Sequence, residues 1–242
     1  MTIALGFLCP DGIVLCSDRQ MTDSAAGLKY QKCKLSWMSG LFAPGISFTF
    51  ASAYAGDPEA VKIMRTEIKE RLGEEMAKSK LVGFQAPKAR KALEKIFNNK
   101  HAKHLQMLIG IRFHSGEMCL FKTSGKKVVD ARTEYIGSGD SSALRYLADF
   151  LLPSYIPSIS QAQVLGAYLI SVANEYVDGC SGGPDFHTIA GNGMTGDSAG
   201  GVFPNQKERF KYCEGEAGRA LRELLFSGGT KALEIVNPKP AV

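Results

Sequence analysis

Thr2-Ile3-Ala4-Leu5-Gly6-Phe7-Leu8-Cys9-Pro10-Asp11-Gly12-Ile13-Val14-Leu15-Cys16-Ser17-Asp18 opens the chain with two apolar runs, Thr2 to Leu8 and Ile13 to Ser17, broken at Cys9-Pro10-Asp11-Gly12. A Pro-Asp-Gly turn between strand-like runs is a hairpin signal, so the chain begins inside a sheet. With the turn centred between Pro10 and Gly12, antiparallel pairing sets Asp18 opposite a residue between Ile3 and Leu5. A carboxylate then lies close to the start of the chain.

Working outward, strands are expected around Cys33 to Met38 and Ile46 to Ser52. A helix follows, with Asp57 as its cap and Pro58 in its first turn. Ala60, Met64, Ile68 and Leu72 recur every fourth residue and give it one apolar face. A second helix is expected from Pro87 to Phe97, then strands at Leu105 to Ile111 and Met118 to Phe121, the series ending at Tyr135-Ile136. Helical periodicity returns from Asp140 to Leu151 and from Gln161 to Val177. A strand at Asp185 to Ala190, a glycine-rich loop from Gly191 to Gly201 and a charged helix from Gln206 to Phe226 complete the order. Strand runs alternating with helix pairs exclude a doubly wound βαβ pattern and suit antiparallel sheets covered by helices. The fold class expected is α+β, a four-layer αββα sandwich.

The 242 residues are 45% hydrophobic and 22% charged, enough for one sizeable core, and no linker or low-complexity stretch divides them. A net charge of +5 is short of a nucleic-acid-binding signature. No segment approaches the roughly 20 apolar residues of a membrane span, and the short run before Pro10 is not a signal peptide. The six cysteines carry no CxxC pair or zinc spacing, so they read as reduced thiols in a cytoplasmic protein. Cys33 and Cys180 read as packing residues. His101 and His104 lie in a basic run without partner ligands and read as a solvated face, so no metal is expected. Gly191-Asn192-Gly193-Met194-Thr195-Gly196 matches GxGxxG, yet opens no helix, and reads as a loop without a cofactor.

The chemistry concentrates on Thr2, Asp18 and Lys34. In the strand after Lys32, Cys33, Leu35 and Trp37 alternate with Lys34 and Ser36, so Lys34 points away from the apolar face. If that face meets the hairpin, Asp18 and Lys34 can pair. A small residue at position 2 permits removal of Met1, which gives Thr2 a free α-amine beside its hydroxyl. Such an amine titrates near about 7.7–8.0, against about 10.4 for lysine, so it can accept the hydroxyl proton. A Lys34 cation lowers that value further, and Asp18 keeps the lysine charged and oriented.

Thr2, Asp11-Gly12, Asp18-Arg19 and Lys34 together resemble the opening of proteasome β subunits, a family of N-terminal nucleophile hydrolases. Gly137-Ser138-Gly139 before a helix, and Asp178-Gly179-Cys180-Ser181-Gly182-Gly183 between a long helix and a strand, resemble later family signatures in the right order. The resemblance implies that Thr2 is the nucleophile of a threonine-type endopeptidase. Asp18 and Lys34 are its electrostatic partners, and Ser138, Asp178 and Ser181 form the network around its amine. Where the family has a glycine pair serving the oxyanion hole, this chain reads Ala51-Ser52-Ala53-Tyr54-Ala55-Gly56, with a Ser52 N–H as the candidate donor. Phe50 and Tyr54 are candidates for a bulky wall of the first specificity pocket.

The resemblance also implies no cofactor, a peptide or unfolded-protein substrate, and a homo-oligomeric ring or spiral served by an ATPase or unfoldase partner. It makes residues 2–200 the hydrolase domain and 201–242 a helical extension of it. The absence of a propeptide before Thr2 makes the chain more similar to the bacterial ATPase-partnered peptidase and the ancestral-β-subunit group, and the longer tail favours the latter. The rivals are a non-proteolytic amidase of the same superfamily and a catalytically silent ring subunit; retention of Thr2, Asp18 and Lys34 together argues against silence.

Overall fold

The computed structural model describes residues 2–23, 28–43, 46–78, 85–137, 142–151 and 156–198. The final helix expected from Gln206 lies outside the described residues, as do Ser138 and the extension 201–242.

The opening hairpin forms as its sequence dictates. β1 (Ile3–Cys9) pairs antiparallel with β2 (Gly12–Ser17) from Cys9↔Gly12 to Ala4↔Ser17, with Pro10 and Asp11 in the turn. This hairpin is the centre of a five-stranded sheet in the order β10-β1-β2-β11-β12, completed by β10 (Thr133–Gly137), β11 (Asp185–Ala190) and β12 (Thr195–Ser198). The second sheet runs β5-β6-β7-β8-β9, built from β5 (Leu35–Ala43), β6 (Ile46–Ala55), β7 (Gln106–Phe113), β8 (Met118–Ser124) and β9 (Lys127–Ala131). A separate ribbon pairs β3 (Gln20–Asp23) with β4 (Leu28–Gln31).

Small residues let the two sheets approach. Ala4, Ala51, Ala53 and Ala55 share the layer between them with Ile13, Leu15, Leu108 and Ile136. A Cβ at Gly110 would lie 2.9 Å from Ile13 Cγ2, and one at Gly6 would lie 3.2 Å from Leu120 Cδ1 of β8. The opposite face of β6 and β7 carries Phe48, Phe50, Tyr54 and Ile109. It packs under α1 (Pro58–Lys78) and α2 (Ala86–Phe97) through Met64, Ile68, Leu72, Leu93 and Phe97. Asp57 caps α1, accepting from the N–H groups of Glu59 and Ala60 at 3.2 Å each. The other sheet is covered by α4 (Ile159–Tyr176), and α3 (Ser142–Leu151) lies beside α4. Ser158 opens α4 with a capping box closed by Gln161. Gly166 permits the contact: a Cβ there would meet Cys16 Sγ at 2.6 Å. Helix, sheet, sheet, helix is the four-layer sandwich expected.

Three local expectations are corrected. Cys33 and Lys34 precede β5 rather than lie in it, because the chain leaves β4 only at Gln31 and needs Lys32–Lys34 to cross to the second sheet. The β3–β4 ribbon was not expected. Within the glycine-rich segment Thr195–Ser198 form β12, whose residues pair with β11 from Phe186↔Ser198 to Ile189↔Thr195 after a turn at Gly191–Gly193.

Candidate active site

β1 carries Thr2 to the edge of the inter-sheet space, held from both sides. β10 pairs Gly137 with Ile3, and β2 continues into Asp18, whose N–H donates to the Ile3 carbonyl at 3.1 Å. The turn left Asp18 opposite a residue between Ile3 and Leu5, and the observed register settles it at Ile3. Its carboxylate turns back onto the chain: the Ile3 N–H donates to Oδ1 at 2.9 Å and the Gln20 N–H to Oδ2 at 3.2 Å. Lys34 Nζ donates to the same Oδ1 at 2.6 Å. Both side chains are wholly inaccessible to solvent. Lys34 therefore lies one carboxylate oxygen away from the peptide that follows Thr2.

Burial pulls the Lys34 ammonium below its ordinary value of 10.5, and the neighbouring Asp18 carboxylate opposes this. Cys180 shares the environment: burial pushes its thiol up to about 11, the Asp18 carboxylate adds to the rise and the Lys34 cation opposes it.

Thr2 is buried and lines a cavity of about 440 Å³ together with Met21, Ala55, Gly56, Gln106 and Gly137. Gly137 has φ +84°, and a Cβ on it would fall 2.2 Å from the Thr2 carbonyl oxygen. Only glycine fits there. The Gly137 N–H donates to Gln106 Oε1 at 2.7 Å, which fastens the end of β10 to the second sheet.

Ser181 reaches this region through its backbone. Its carbonyl accepts from the N–H groups of Arg19 and Gln20 at 3.2 and 3.1 Å, and its hydroxyl bonds Gln20 Oε1. Gln20, not singled out in the sequence, therefore joins Ser181 to Asp18; its only sequence signal is its place two residues after the aspartate. Asp178 is exposed in the turn after α4, and among the described residues no hydrogen bond ties it to Thr2, Asp18 or Lys34. Ser138 lies outside the described residues.

Two of the three β6 candidates are placed otherwise than expected. Phe50 is fully buried in the core beneath α1 and α2, so it forms no wall of a pocket. Ser52 pairs with Ser36 of β5 on one side and Ile109 of β7 on the other, so its N–H belongs to the ladder rather than to an oxyanion. Pairing with β5 ends at Ala53 while β6 continues to Ala55, so the unpaired β5-facing edge begins at Tyr54. Tyr54 is buried and lines a second cavity on the α1 side. Among the described residues no cluster of three His, Cys, Asp or Glu side chains could hold a metal, and no helix is long and apolar enough to cross a membrane. Cys9, Cys16, Cys33, Cys119 and Cys180 are free thiols.

The architecture is the proteasome-like αββα fold. Solved structures of Anbu share it. The Gly-1 mutant of Anbu from Hyphomicrobium sp. strain MC1 superposes with a TM-score of 0.69 at 14% identity, over 95% of this chain and 99% of the other. Anbu, an ancestral beta-subunit, from Yersinia bercovieri gives 0.65 at 13% identity, over 94% and 98%. A further Anbu structure from Hyphomicrobium sp. strain MC1 gives 0.64 at 16% identity, over 94% and 98%. No family profile and no curated protein sequence matches the chain. The likeness therefore resides in the fold.

Proposed function

We propose that the chain is an N-terminal threonine hydrolase that cleaves peptide bonds through an acyl-enzyme on Thr2 after removal of Met1. The observation that carries this reading is the wholly buried Lys34–Asp18 pair, bonded to the amide that follows Thr2. An exposed α-amine titrates near about 7.7–8.0, and a Lys34 cation close by lowers that value, leaving the amine neutral to take the hydroxyl proton. The Thr2 oxygen attacks the carbonyl, the amine returns the proton to the leaving nitrogen, and water then releases the acyl group. An N–H of the segment Tyr54–Gly56, where β6 runs past β5 and borders the Thr2 cavity, replaces Ser52 as oxyanion donor. Ser181 positions Asp18 through Gln20, while Ser138 and Asp178 complete the network around the amine. The domain spans residues 2–200 with 201–242 as its extension, acts in the cytoplasm, assembles with copies of itself into a ring or spiral, and receives unfolded protein from an ATPase partner.

Intact-protein mass spectrometry with a threonine-directed epoxyketone or β-lactone tests this reading. The expected result is a chain lighter by Met1 that gains one adduct, with no adduct on Thr2→Ala. A chain that retains Met1 and takes up no reagent overturns it in favour of a silent ring subunit.

A further inference from the structure

The second cavity, about 510 Å³, opens between the first turns of α1 and the link that carries Cys33 and Lys34. Its wall holds four cations, Lys32, Lys62, Arg65 and Lys69, against two carboxylates, Glu59 and Glu70. Arg65 is the unusual member. From the second turn of α1 it reaches back to the sheets: Nε donates to Ser52 Oγ at 3.0 Å, and a terminal nitrogen approaches the Lys34 carbonyl oxygen at 3.5 Å. Its guanidinium lies 5.1 Å over the Tyr54 ring.

All three partners are neutral. Lys34, Arg19 and Lys122 each meet a carboxylate, whereas among the described residues none lies within ion-pairing distance of Arg65. Burial pulls the Arg65 guanidinium below its ordinary value, with only Tyr54 and Cys33 opposing. A partly buried cation whose partners among the described residues are neutral and leave terminal N–H groups unused is built for an anion, and a guanidinium fits a carboxylate in a two-pronged bond. The position of the cavity says which one. It is lined by Cys33, next to Lys34, and by Tyr54, at the unpaired edge of β6 that also borders the Thr2 cavity.

We infer that this cavity receives the side-chain carboxylate of a Glu or Asp in the peptide substrate, close to the bond cut, with Arg65 as its ligand and Lys32 and Lys62 at the rim. The inference rests on the threonine-hydrolase reading for its substrate class, and it makes the enzyme acid-selective.

Fluorescence anisotropy with fluorescein-labelled, C-terminally amidated hexapeptides, identical except for Glu or Gln at one position, tests it on the full chain. The expected result is about tenfold tighter binding of the Glu peptide, narrowing as salt is added. The preference disappears in Arg65→Met and falls about twofold in Lys62→Gln, an exposed rim position that leaves the core untouched. Equal affinity for the two peptides in the wild-type chain overturns the inference, as does a preference that survives in both variants. Tighter binding of a free-acid Gln peptide than of the amidated Glu peptide also overturns it, because the cavity then takes a chain terminus.

The same peptides separate this inference from the catalytic reading. A Glu preference without cleavage and without an adduct on Thr2 keeps the anion site and removes the hydrolase. An adduct on Thr2 with no Glu preference in binding or turnover does the reverse.

Discussion

Two ion pairs of nearly equal length show how little distance says about purpose. Lys34 Nζ meets Asp18 at 2.6 Å with both side chains fully out of water, whereas Arg90 meets Asp130 at 2.8 Å with side chains 41% and 61% exposed. The surface pair is screened by solvent and salt and holds two long side chains in place for little return. The buried pair loses the hydration of both ions, which well-packed apolar side chains of similar volume would not. Stability alone therefore does not account for a charge pair at the start of β1; the role proposed for it beside Thr2 would.

The comparison is sharpest in Lys34→Met. Turnover should fall by about a thousandfold or more, as for the loss of a group that governs proton transfer. Unfolding in urea should show a loss of about 3–5 kcal/mol, because the Asp18 charge is left buried alone. Replacing both partners, Lys34→Met with Asp18→Leu, should recover much of that stability and none of the activity. Turnover within tenfold of wild type in either variant breaks the argument that the pair exists for chemistry.

A pair of glycines separates strain from contact at the same site. Gly137 and Gly116 both have positive φ, +84° and +86°, but an added Cβ meets the Thr2 carbonyl at the first and nothing at the second. Gly116→Ala should cost about 1–2 kcal/mol from its backbone alone. Gly137→Ala should cost more and also depress turnover, since Thr2 must shift. Equal losses in thermal midpoint and unchanged kcat/KM at both positions would separate Gly137 from the site.

Titration provides a subtler contrast. Burial raises the thiols of Cys9 and Cys180 to about 12 and about 11, above the ordinary 9.0. The folded chain holds those protons more tightly than the unfolded one, so their contribution is complete below pH 9 and lost as pH rises through 11 to 12. Lys34 has the opposite sign. Its folded value lies below 10.5, so its contribution grows as pH rises towards 10.5. Thermal midpoints measured across the alkaline range should fall, and the gap between wild type and Lys34→Met should widen up to pH 10.5. The smallest effect is expected at the surface: Arg90→Ala should leave the midpoint unchanged within measurement, and a clear drop there would erase the contrast between the two pairs.

The parts of the fold legible in the sequence are those set by local turn chemistry and one-sided apolar spacing. The Pro10–Gly12 turn set Asp18 opposite a residue between Ile3 and Leu5, and the fourfold spacing of Ala60, Met64, Ile68 and Leu72 marked the buried face of α1. The β3–β4 ribbon was illegible because Leu28–Gln31 is only four residues long and exposed throughout, so the alternation of Leu28 and Tyr30 with Lys29 and Gln31 is too short to mark a strand. Alternation in β6 separated two faces but not which layer each would meet, and Phe50 consequently went to the helix side instead of a pocket. Arg65 was hidden for a similar reason. Between Lys62 and Lys69 it reads as one more solvated charge on α1, and its Ser52 and Tyr54 partners lie on a different element. The turn set Asp18 in advance, whereas Lys34 was paired with it through a strand alternation that does not hold, since Lys34 precedes β5 and reaches Asp18 from the link.

The enclosure of β1 between β10 and β2 has a practical side. A strand in the middle of a sheet cannot peel away as a tail can, and Thr2 lines the cavity, so a segment fused ahead of Thr2 starts from the cavity itself. A purification tag placed there would obstruct the proposed site, and recombinant work on this chain should start from a handle at the other end.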